Sequence, residues 1–222
     1  MQAEMERRKH LGRRCTCDSV FSTKIVCGDC GGFYGPKVWN SNQPYRKVIW
    51  RCNEKYHGEK KCETPHITED EMKRRFLTAF NTLMGNREEL LENCRLAQKT
   101  LCDCAALDLE IENLRREQEA AAELARQAIH DNARLALRGA DDQGCLQRYT
   151  GITEQLTGLE AQREMRKEKG RVLGKFNHDI RNQPLVLEEF DEKLWTAIVD
   201  HVNVFQDGQM RFWFKDSTGI SI

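Results

Sequence analysis

From Asn86 to Arg138 the chain contains neither glycine nor proline, and nothing else in it limits the folding so tightly. A stretch of that length without a helix breaker predicts a single helix. At ~1.5 Å per residue it would run about 80 Å, far beyond the three or four turns usual in globular domains. Such a helix needs a partner along its side, which predicts a coiled coil. The apolar spacing agrees. Leu90, Cys94, Ala97, Leu101 and Cys104 step by four and three, and after a phase slip Leu107, Ile111, Leu114, Ala121, Ala125 and Ala128 resume the pattern. The two consecutive steps of three at Leu101, Cys104 and Leu107 read as a stammer. Many seam residues are Ala or Cys, so each buries little area.

Turn chemistry follows at Gly139, Ala140, Asp141, Asp142, Gln143 and Gly144, after which Leu146, Tyr149, Ile152, Leu156 and Leu159 restart helical spacing. The chain is therefore expected to fold back, giving a helical hairpin over 86–187 with its tip near 139–144. The returning arm, about 145–182, is shorter than the outgoing one, so part of the outgoing helix is expected to pack on a globular base. With 39% hydrophobic and 32% charged residues the chain suits extended helical surface better than one compact core.

Both flanks of the hairpin read as β-rich. Upstream, 25–51 mixes glycine turns with Phe33, Tyr34, Val38, Trp39, Tyr45, Val48, Ile49 and Trp50. Downstream, a short helix over 191–200 precedes Val202, Val204 and Phe205, an Asp207-Gly208 turn, and the alternating Met210, Phe212 and Phe214. The simplest arrangement has the last strands return to the base that the first ones began.

Ten cysteines, no apolar run of membrane-spanning length and a charged start without a signal core predict a cytoplasmic protein whose thiols are metal ligands or small core residues. The sharpest group is Cys27-x2-Cys30, with glycines at 28, 31 and 32, followed by Cys52 and Cys62. Two thiolates two residues apart reach one ion when a tight turn aims both sulfurs inward, and glycine permits that turn. A tetrahedral structural zinc site needs four ligands, which Cys52 and Cys62 would complete. Nine residues separate that second pair, so His57 or His66 could replace one member. The competing reading, a redox Cys27-x2-Cys30 pair, lacks a βαβ setting. Cys15 and Cys17 read as linker thiols, Cys94, Cys102 and Cys104 as small helical residues, and Cys145 as an exposed turn residue.

Charge is unevenly placed: residues 1–66 hold 13 Lys/Arg against 7 Asp/Glu, and the remainder 22 against 28. A basic front with an acidic helical back suits a chain of which one part meets phosphate. Arg46, Lys47, Arg51, Lys55, His57, Lys60 and Lys61 crowd the segment around the later cysteines, among Tyr45, Trp50 and Tyr56. A zinc-fixed β-ribbon can lie in a groove of duplex DNA, its arginines suited to base edges and its lysines to phosphate. The alternative is a solvated hairpin, and in either case the aromatics are expected to pack the small core around zinc rather than stack on bases. Glu188, Glu189, Asp191 and Glu192 read as an acidic first helical turn rather than a catalytic cluster, and no general acid, base or nucleophile is assigned.

These residues resemble the C-terminal zinc-ribbon domain of large serine site-specific recombinases, the phage-integrase and transposon-excision group. The resemblance is carried by Ile25-Val26-Cys27-Gly28-Asp29-Cys30-Gly31-Gly32, Tyr45-Arg46, Trp50-Arg51-Cys52 and Lys61-Cys62-Glu63-Thr64-Pro65-His66-Ile67. It continues in Glu189-Phe190-Asp191, Leu194-Trp195, Val199-Asp200-His201-Val202 and Phe212-x-Phe214-Lys215-Asp216. It implies an α+β fold in which a zinc ribbon (25–85 and 188–222) carries a coiled-coil hairpin (86–187) inserted before its final strands, with 1–24 the remnant of a linker helix. It implies zinc on Cys27, Cys30, Cys52 and Cys62. The ribbon would read a recombination attachment site, and the hairpin would meet another recombinase subunit, with Arg138, Gly139, Asp141 and Gln143 at the tip. Such recombinases keep their nucleophilic serine in an N-terminal domain, so this chain is expected to be a non-catalytic C-terminal fragment. A zinc-ribbon scaffold that binds only proteins is the alternative.

Overall fold

The computed structural model describes residues 19–40, 42–56, 61–135 and 142–222. These fall into two compact units, one from the described residues up to 94 with 175–222 and one from those within 95–174.

In the first unit the sequence extremes meet in one sheet. Strand β1 (Ile25–Cys27) pairs in parallel with β5 (Val199–Val204), Ile25 opposite Val202 and Cys27 opposite Val204. Antiparallel β6 (Met210–Phe214) and β7 (Gly219–Ser221) complete the order β1-β5-β6-β7. The turn into β6 uses Gly208 at φ 85°, where the Asp-Gly signal placed it. The final strand β7 carries no such signal in the sequence. It follows a second turn in which Ser217 takes φ 74° and the Asp216 carboxylate accepts from the Thr218 backbone N–H at 3.1 Å. A second sheet has the order β2-β3-β4, from Tyr34–Trp39, Lys47–Cys52 and Ile67–Thr68, all antiparallel. Pro36 is accommodated because β2 is an edge strand.

Helix α1 (Glu69–Gly85) closes this unit. Thr68 caps it, its hydroxyl accepting from the Glu71 N–H at 3.2 Å, and Met72, Phe76, Ala79, Phe80 and Leu83 form its buried stripe. Phe76 and Phe21 each stand 5.1 Å from Trp195, edge to face, and Phe212 lies 6.4 Å from it. Trp195 belongs to the short helix α5, which spans Glu192–Ile198 rather than 191–200, because Val199 already pairs with Phe214. Its N-cap is Asp191, whose carboxylate accepts from Lys193 N at 2.7 Å and Leu194 N at 3.2 Å. Asp191→Ala is expected to cost about 1 kcal/mol in unfolding free energy, measured by urea titration.

The single helix expected over 86–138 is instead divided. Helix α2 covers Arg87–Leu101 and α3 covers Ala105–Leu135. The break falls at the stammer, and Asp103 explains it. Its carboxylate accepts from the Ala105 N–H at 2.9 Å, starting a new helix without glycine or proline. Upstream, Asn86 separates α1 from α2. The returning helix α4 (Asp142–Arg181) is longer than either piece. In α2, Leu90 and Cys94 are buried in the first unit, and Cys94 faces the Asp216 carboxylate at 3.9 Å.

In the second unit α3 and α4 pair in opposed order. Gln118 bonds Thr153, Arg115 bonds Glu160, and the Arg166 guanidinium donates to the Asp103 carbonyl. Ile111, Ala121, Ile152 and Leu156 form the buried core, flanked by Leu114 and Leu159. Arg138, Gly139 and Asp141 lie outside the described residues, as do 1–18, and Gln143 falls in the first turn of α4.

Candidate metal centre and basic ribbon face

The strand pairing delivers four sulfurs to one point. Cys27 ends β1, Cys30 sits in the turn that follows, Cys52 ends β3, and Cys62 stands on the irregular segment before β4. Their sulfurs all lie within 4.8 Å of one another. Two pairs cross between the two halves of the site at 3.5 Å, Cys27 with Cys62 and Cys30 with Cys52. Zinc–thiolate bonds of ~2.3 Å in a tetrahedron put sulfurs about 3.8 Å apart, so the cluster has the size and donor chemistry of a structural zinc site. His66 is not part of it, since its ring stands edge-on to Trp39 at 4.8 Å. His57 lies outside the described residues.

Local backbone fixes the first knuckle. The Cys27 N–H donates to the Gly32 carbonyl at 2.7 Å and the Gly31 N–H to the Cys27 carbonyl at 3.0 Å. Gly31 holds φ 72°, which side-chain-bearing residues rarely adopt. Gly32 lies directly against the site: a Cβ there would stand 2.7 Å from Glu54 Cγ and 3.4 Å from the sulfurs of both Cys30 and Cys52.

Electrostatics separates the thiols. Burial pushes Cys52 and Cys30 up, although the backbone N–H groups of Glu54 and Gly32 oppose it. Burial also works against Cys62. There the hydroxyl and backbone N–H of Thr64, joined by Cys27 and Cys30, outweigh it and bring the thiol down to about 7.

The basic residues divide. Across the β2–β3 register Trp39 faces Lys47, Lys37 faces Ile49 and Gly35 faces Arg51, so these side chains share one face of the ribbon. The Lys47 ammonium lies 5.6 Å from the Trp39 ring centre and the Arg51 guanidinium 4.4 Å from that of Tyr56. Lys37 precedes the charge-rich segment, and only the strand pairing puts it on that face. Arg46 lies exposed in the connecting loop and Lys61 beside Cys62, likewise exposed. Lys55 is committed elsewhere, its ammonium donating to the Thr64 carbonyl at 2.7 Å. Lys60 lies outside the described residues. Of the aromatics expected to pack in the core, Trp50 is buried, but Tyr45 and Tyr56 are 65% and 64% exposed. β3 carries Trp50 inward, whereas the other two stand in the loop and the 3-10 turn at its ends.

Four cysteines brought together by a β-hairpin and a returning loop are the makings of a zinc ribbon. Residues 20–81 match the family model described as Recombinase zinc beta ribbon domain, so this segment is a recombinase-type zinc-ribbon domain. It contains all four clustered cysteines and the whole basic face. No curated protein and no solved structure matches the chain. None of the helices among the described residues is long and apolar enough to cross a membrane.

Proposed function

We propose that this chain is the DNA-binding and synapsis-controlling C-terminal module of a serine site-specific recombinase, in which zinc on Cys27, Cys30, Cys52 and Cys62 fixes a ribbon that contacts duplex DNA. The observation that carries this reading is the joining of a recombinase-type four-cysteine ribbon to one face bearing Lys37, Lys47 and Arg51. The metal's contribution is structural: it replaces a hydrophobic core where β1, β3 and the Cys62 segment converge. Lysines on a rigid ribbon then meet phosphate, and Arg51 offers a planar fork for a base edge.

The opposed helices α3 and α4 act as a coiled-coil hairpin that meets another recombinase subunit. Leu109, Leu124 and Met165 remain exposed on them, which supports a surface awaiting a partner. Cleavage and rejoining of strands belong to a catalytic domain outside this chain.

The test is fluorescence anisotropy of the full chain with a labelled random-sequence duplex across a salt series. Log affinity is expected to fall linearly with log salt, and Lys37→Ala with Lys47→Ala to reduce the slope by about 2, one for each phosphate that a lysine no longer neutralises. Absence of binding at the lowest salt would instead favour a scaffold that recognises only proteins.

A further inference from the structure

Cys62 is the one clustered cysteine that neither a strand nor the first knuckle carries; it lies on the irregular segment 61–66 between the 3-10 turn Asn53–Tyr56 and β4. Something other than a sheet ladder must hold that segment, and side-chain bonds do so, among them one from the Gln206 amide to the Glu63 carboxylate at 2.8 Å. Tyr34 donates its phenol proton to the Pro65 carbonyl at 2.9 Å, Lys55 donates to the Thr64 carbonyl at 2.7 Å, and the Thr64 hydroxyl turns inward to the sulfurs. Thr64 is 0% exposed, and its Oγ1 lies 3.0 Å from the Cys62 sulfur and 3.5 Å from that of Cys27.

A thiolate bound to a metal only accepts hydrogen bonds, so toward these sulfurs the hydroxyl can only be the donor, and the Cys62 sulfur is the nearer of the two. Backbone N–H groups already serve Cys30 from Gly32, Cys52 from Glu54 and Cys62 from Thr64. Among the described residues Thr64 adds the one side-chain donor from outside the cysteine set. A four-thiolate zinc centre carries two net negative charges, and in a buried setting each hydrogen bond to sulfur disperses part of that charge.

Resting on the zinc reading above, we infer that Thr64 is a positioning residue of the metal centre: its buried hydroxyl donates to the Cys62 thiolate and thereby sets metal affinity. The role belongs to the hydroxyl and not to the shape of the side chain. Serine should supply it and isosteric valine should not.

The experiment compares the full chain with Thr64→Val and Thr64→Ser, each titrated with zinc against a chromophoric chelator at one fixed pH and then loaded with cobalt(II). Thr64→Val is expected to bind zinc about 10- to 100-fold more weakly, with Thr64→Ser close to the parent. In the cobalt form, the thiolate-to-metal charge-transfer band of Thr64→Val should move to longer wavelength, because a sulfur that has lost a hydrogen bond donates more readily. A change of packing alone would not move that band in valine and leave serine unchanged. Equal affinity and an unmoved band in Thr64→Val would overturn the inference, as would equal losses in both variants. Failure of the parent chain to bind zinc would overturn the zinc reading itself and this inference with it. Should Thr64→Val not yield folded protein, Thr64→Ala takes its place in the cobalt comparison, where the same band shift is required.

Discussion

Cys52→Ser is expected to lose the metal and, with it, the fold of the β2-β3-β4 ribbon. Cys52 is fully buried, ends β3 and lies 3.5 Å from Cys30, so its sulfur joins the hairpin to the first knuckle. Structural zinc sites contribute an apparent ~10–16 kcal/mol, which is as large as the ~5–15 kcal/mol that usually separates a folded domain from its unfolded chain. The small second sheet has little else to hold it: β4 pairs with β3 at only Ile49–Thr68 and Trp50–Ile67. Hydrogen exchange should show amide protection lost over 34–68 in the variant and, equally, in the parent chain stripped by a chelator. Unchanged protection in both would mean that the ribbon holds without metal.

Trp195→Ala is expected to destabilise the first unit by about 3–5 kcal/mol, the range for truncating a buried aromatic. Trp195 is 0% exposed and is flanked by Phe21, Phe76, Phe190 and Phe212. Its indole N–H also donates to the Val20 carbonyl at 3.0 Å, leaving a half-buried acceptor without this partner on truncation. This core gathers residues from both ends of the chain, since Phe21 precedes β1 and Phe212 lies in β6. Guanidinium unfolding followed by near-ultraviolet circular dichroism reports it. A loss below about 1 kcal/mol would show that the aromatic cluster does not support the unit.

The cysteines were legible because metal ligation constrains spacing locally: Cys27-x2-Cys30 with its glycines can scarcely be read otherwise. Cys52 and Cys62 were legible only by count, since their convergence depends on β3 and on a segment with no periodic signal. The Asp207-Gly208 hairpin was equally local. The division of the outgoing helix was half visible. The apolar phase slips between Leu101 and Leu107, but a cap made by Asp103 leaves no glycine or proline as a marker. Parallel pairing of β1 with β5 joins Ile25 to Val202, and no window on the sequence spans that distance. The same limit applied to charge. Lys55 looked like its neighbours until its bond to the Thr64 carbonyl withdrew it from the surface set, and Lys37 joined that set only through its register with Ile49.

Metal content per folded chain, measured by native mass spectrometry on the parent and on Cys27→Ser and Cys62→Ser, decides whether the four cysteines form a zinc site. One zinc per chain, absent from both variants, is the expected result. A parent chain that folds and binds duplex DNA with no metal would contradict it.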